Sequence, residues 1–166
     1  MKTFSIMDAV AEIVRASALM VVEQHEAMEA SAVLIEDQSK DIIGHYQTET
    51  GPFNVWKPLA DSTRDEKQRL GYAPPDNPLL RTGDMRDSIG HDAETTRAVV
   101  GSDDDKAIWQ ELGTYGPNPG ADGYHVPPRS FLGAAAFQKQ DEVAELLGDA
   151  VVAAICGTQR KVISGR

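Results

Sequence analysis

The side chains of this 166-residue chain most able to do chemistry are four histidines (His25, His45, His91, His125), one cysteine (Cys156) and the acidic run Asp103-Asp104-Asp105. A zinc protease of the common type needs two histidines four apart on one helix face with a glutamate between them, and these histidines are scattered singly. A calcium loop needs alternating oxygen ligands, a central glycine and a distal glutamate, whereas Lys106 and Ile108 occupy that space here. The acidic run reads instead as a solvated helix start. The constellation nearest to a metal-dependent hydrolase would draw on His91, Asp92, Asp103, Asp105 and His125, and nothing in their spacing demands it. Cys156 follows Val151-Val152-Ala153-Ala154-Ile155, which predicts a buried, inert thiol. The sequence therefore assigns no catalytic, cofactor-binding or metal-binding residue, and the expectation is a protein that is not an enzyme.

What such residues lack in chemistry the whole chain supplies in charge. The formal net charge of -10 opposes tight binding to nucleic acid or anionic lipid, which takes clustered Lys and Arg to displace counterions. It does not oppose DNA passing nearby, since an acidic wall repels phosphates. One cysteine allows neither an intrachain disulfide nor a cysteine-based zinc cluster, consistent with a reducing cytoplasm. Hydrophobic residues at 41% and charged residues at 25% are ordinary globular usage. Asp8 and Glu12 interrupt the early apolar residues, and no run is long enough to span a membrane, so neither export nor insertion is expected.

The elements follow from periodicity and breakers. The first 43 residues hold neither Gly nor Pro, and Ile6, Val10, Ile13, Val14, Val21, Met28, Ala32, Ile35 and Ile42 recur at helical spacing. Ser5 with Asp8 three residues later marks the start, and Gly44 or the stretch through Pro52 the stop. A helix over 1–47 is longer than a compact domain needs, so it either breaks near Ser31 or projects toward a neighbour. Prolines make 51–78 a structured connector, with a short helix from Asp61 to Leu70. Thr82 or Asp84 caps another short helix. Thr95 to Ser102 reads as a strand whose mate is Ser88 to Asp92, and Lys106 to Leu112 as a helix ended by Gly113. A last helix begins near Pro128-Arg129-Ser130 and sets Phe131, Leu132, Ala135, Val143, Leu146, Leu147 and Val151 at core spacing. The predicted class is α+β, a small antiparallel sheet flanked by a long N-terminal helix, short helices and a C-terminal helix, in one domain over 1–156. Residues 157–166 form a basic tail carrying Arg160 and Lys161.

Three segments in order carry a resemblance: Trp56-Lys57-Pro58-Leu59, then Leu80-Arg81-Thr82-Gly83, then Val100-Gly101 through Glu111-Leu112-Gly113-Thr114 to Pro127-Pro128-Arg129-Ser130-Phe131-Leu132. Over about residues 50 to 135 the chain resembles the virion-morphogenesis and tail-completion (neck) proteins of tailed phages, including Mu-like tail proteins and siphophage head-tail joining components. The Tyr115 to His125 loop and the Pro75-Asp76-Asn77 insertion depart from that pattern. The resemblance implies a non-enzymatic structural protein that joins head to tail as a subunit of a homo-oligomeric ring, with six copies favoured over twelve. It also implies neighbouring neck and tail proteins as partners and a place in the virion neck after assembly in the host cytoplasm. DNA would pass through the ring without sequence-specific binding, and no membrane is involved. The alternatives from other classes are the hydrolase above and an adaptor protein unrelated to virions.

Residue roles can be set on this frame. Trp109, with Ile108 and Leu112 on the same short helix, is expected to face the core, and Trp56 and Phe131 are further core anchors. Gly83 and Gly113 supply positive φ where the chain reverses. Glu111 and Arg129 could form a bidentate ion pair within or between chains, or a merely solvated surface pair. Thr114, Tyr115, Tyr124 and His125 in the loop, with Arg160 and Lys161 in the tail, are the remaining candidates for contact with subunits or partners.

Overall fold

The computed structural model describes residues 5–115 and 125–157. Tyr124, Arg160 and Lys161, expected to lie at contacts, and nearly all of the basic tail fall outside the described residues. The order of elements is α1 (Ile6–Ile42), α2 (Asp61–Arg69), α3 (Asp84–Asp87), β1 (Ile89–Ala93), β2 (Ala98–Ser102), α4 (Lys106–Leu112) and α5 (Leu132–Cys156). The class is α+β, with β1 and β2 forming a two-stranded antiparallel sheet.

Helix α1 is unbroken over 37 residues, about 55 Å at 1.5 Å per residue. Its start is a reciprocal capping box: the Ser5 backbone N–H donates to Asp8 Oδ2 at 3.1 Å, and the Asp8 N–H donates to Ser5 Oγ at 3.2 Å. Ser31, where a break could fall, returns its hydroxyl to the Ala27 carbonyl at 2.7 Å within an intact helix. The helix stops before Gly44, whose φ of 98° carries the chain out of it.

Contacts group the chain into two compact units. One holds the first part of α1 to Ala32, the tip of the hairpin (Asp92–Val99) and the chain from Asp141 onward. Among the described residues, its buried apolar side chains are all alanines, Ala27, Ala32, Ala150, Ala153 and Ala154. Small side chains let backbones approach closely but remove little apolar area from water. Around them Ile6, Val10, Ile13, Val14, Val21, Val151, Val152 and Ile155 stand exposed. Val151 is thus no core residue. Cys156 is exposed as well, correcting the expectation of a buried thiol, because the apolar run before it lies largely on the uncovered side of α5.

The other unit covers 33–91 and 100–140 and has a conventional core of large side chains: Ile42, Ile43, Trp56, Met85, Ile89 and Phe131, with Ala107, Ala134 and Ala135. Trp56 and Phe131 are the anchors expected of them. Gly83 and Gly113 take positive φ, 101° and 74°, as chain reversal there requires. At Gly113 a side chain is also barred by space, since a Cβ would stand 2.8 Å from the Val126 carbonyl oxygen.

Candidate functional site

Helix α4 is two turns long, and its opposite sides do different things. Its start is fixed by the acidic run: Asp104 Oδ1 accepts the Lys106 N–H at 2.9 Å, and that bond from the backbone, ahead of the Lys106 ammonium, holds the Asp104 carboxyl below its usual range. On one side Ala107 is buried in the core and Glu111 reaches the start of α5. The Glu111 carboxylate accepts the backbone N–H groups of Phe131 at 2.7 Å, Leu132 at 3.0 Å and Gly133 at 2.9 Å, and also the Ser130 hydroxyl. These are the donors that a helix leaves without intrahelical partners, and they face the positive end of the 25-residue α5. A charged acceptor taking three such N–H groups makes stronger bonds than a neutral cap would.

This overturns the expected Glu111–Arg129 pair. The carboxylate is occupied by α5, and Arg129, only 5% exposed, donates from Nη2 to the Lys57 carbonyl at 3.1 Å. The two residues are still tied through the backbone, where the Arg129 N–H donates to the Gln110 carbonyl at 2.6 Å. Both side chains are engaged within the chain. The sequence holds a sign of the remote cap: α5 has no acidic residue in its first turn, so Ser130 lacks the local glutamate that completes a capping box.

The other side of α4 is apolar and open. Ile108 is 58% exposed, Trp109 54% and Leu112 63%. The expectation that this trio packs in the core is therefore wrong. Tyr115, just beyond Gly113, is exposed too. Thr114 pairs with Val126 in an isolated antiparallel bridge, and the His125 N–H donates to the Thr114 carbonyl at 2.8 Å. That bridge places Tyr115 and His125 beside one another. Of the expected contact residues, Thr114, Tyr115 and His125 are thus gathered just beyond the end of α4.

Of the residues of the hydrolase alternative, His91 has a partner outside the set. His91 bonds Glu36 through Nδ1, and Glu36 also pairs with Lys40. The His91 bond first and Lys40 second hold the Glu36 carboxyl below the usual carboxylate range. Among the described residues no three His, Cys, Asp or Glu side chains converge as metal ligands would. No described helix is long and apolar enough to cross a membrane. Comparison with family models, curated proteins and solved structures finds no match.

Proposed function

We propose that the protein is a structural, non-catalytic subunit of a tailed-phage neck, assembling through like contacts into a ring that joins head to tail around the DNA channel. The reading rests on the ordered motifs between Trp56 and Leu132. The observation that carries it furthest is the division of labour on α4. Within the Ile108-Trp109-Gln110-Glu111-Leu112-Gly113-Thr114 stretch, the carboxylate holds the fold together while Ile108, Trp109 and Leu112 stay in water. Fully burying an aliphatic side chain of this kind is worth about 1.5–3 kcal/mol, and a clustered Trp with flanking aliphatics is the composition of an interface hot spot. A ring needs such a patch on one side of the subunit and its complement on the other. The exposed apolar residues of the first part of α1 are the second surface on offer. The net charge of -10 suits a channel that DNA traverses without adhering.

The test is mass photometry and negative-stain imaging of the purified protein, alone and mixed with phage portal and tail proteins. Rings, six subunits favoured over twelve, are expected, and Leu112→Glu should abolish them. A monomer that persists with every such partner present would overturn the proposal.

A further inference from the structure

Beneath α4, wholly within the 33–91 and 100–140 unit, lies a cleft of about 930 Å³. Among the described residues, five Lys and Arg side chains line it, Lys57, Lys67, Arg81, Lys106 and Arg129, against one carboxylate, Asp84. On a protein of net charge -10 that concentration runs against the overall composition. Two of the five are answered by neighbouring acids: Arg81 by Glu66 at 3.0 Å and Lys106 by Asp104 at 3.2 Å. Lys67 and Arg129 are not.

Lys67 is 2% exposed and Arg129 5%, yet neither has a carboxylate within ion-pair range among the described residues. The Lys67 ammonium donates to the Asn77 carbonyl at 2.6 Å, and Arg129 gives one bond to the Lys57 carbonyl while its buried Nε has no acceptor. Carbonyl dipoles compensate a buried cation only in part, and an uncompensated charge taken out of water is destabilising. Burial lowers the pKa of both, and for Lys67 the nearby Arg81 lowers it further, against a smaller opposing pull from Asp76. The wall is also strained: Leu79 holds φ at 61°, a conformation rare for a bulky residue.

We propose that this cleft is a binding site for a compact dianion, a phosphate group or a pair of carboxylates, seated between Lys67 and Arg129 with Arg81 at its mouth. Two buried cations without an ion-paired carboxylate set the ligand charge near -2. The guanidinium fork and the ammonium are the usual donors to such oxyanions, and the volume leaves room for an organic body attached to the anionic group. The site is a property of the single chain and is independent of the ring reading, so monomeric protein suffices to test it.

Thermal unfolding would be followed with inorganic phosphate, malonate and chloride at matched ionic strength. Phosphate or malonate should raise Tm by roughly 5 °C near saturation, chloride should not, and the more effective dianion identifies the source of the charge. Lys67→Met should raise Tm in chloride, because it removes an uncompensated charge, and should abolish the dianion-specific shift. Should that variant not fold, Arg81→Gln, on a half-exposed side chain, should weaken dianion binding about tenfold by isothermal titration. Equal Tm in all three salts, or a shift undiminished in whichever variant folds, would overturn the proposal.

Discussion

The two sides of α4 differ as an occupied site differs from an open one. Facing inward, Glu111 has its carboxylate filled by four donors and α5 cannot be capped without it. Facing outward, Ile108, Trp109 and Leu112 spend their apolar area on water. The same seven residues thus carry two kinds of information: one set specifies the subunit, and the other can be spent only on something outside it. Substitutions on the two sides should separate in what they disturb.

The largest effect should come from Glu111→Gln. The amide keeps one acceptor oxygen and turns its NH2 toward N–H groups, so two of the four bonds are lost and donors meet donors. With bonds to charged groups worth about 1.5–3 kcal/mol each, the loss is about 3–6 kcal/mol, read as a lower urea midpoint with an unchanged slope. A loss under about 0.5 kcal/mol would mean the cap is ornamental, and the contrast between the two sides would collapse.

Glu36 offers an intermediate case, a carboxylate tied to His91 and Lys40 rather than to a helix end. Its folded pKa is depressed, so its contribution is full above the unfolded value and is lost as pH falls through the folded one. Glu36→Gln should therefore cost about 1 kcal/mol at pH 7, and the gap from wild type should close below about pH 4.3. A gap that is the same at pH 7 and pH 3 would contradict the assignment.

Trp109→Ser should have the smallest effect on the subunit, within about 0.5 kcal/mol of wild type in chemical denaturation, since the side chain has little native packing to lose. The same change should lower the assembled fraction in mass photometry strongly. A large loss of subunit stability would show that the indole is structural after all.

Much of the fold was legible because its signals are local. The capping box at Ser5 and Asp8, the run without Gly or Pro that becomes α1, the β1–β2 hairpin and the bounds of α4 are each written within a few adjacent residues. The side of α4 was not legible. Two turns carrying Ala107, Ile108, Trp109 and Leu112 are apolar in more than one direction, and periodicity could not say that the alanine and the glutamate face inward. Size and hydropathy favoured the tryptophan for the core, and tertiary packing overruled them. The Glu111–Arg129 expectation failed for a related reason. Opposite charges eighteen positions apart invite pairing on paper, whereas an uncapped helix start is a stronger claimant for a carboxylate than a guanidinium that the chain buries elsewhere. Cys156 was misjudged because an apolar run predicts burial only where something lies over it.

The Thr114–Val126 bridge and the Glu111 cap close the chain on itself at both ends of residues 115–125. The backbone amides of Thr114, Phe131, Leu132 and Gly133 are the donors in these ties, so they should exchange hydrogen for deuterium as one slow group, a spectroscopic signature by which the integrity of this corner can be read in any variant.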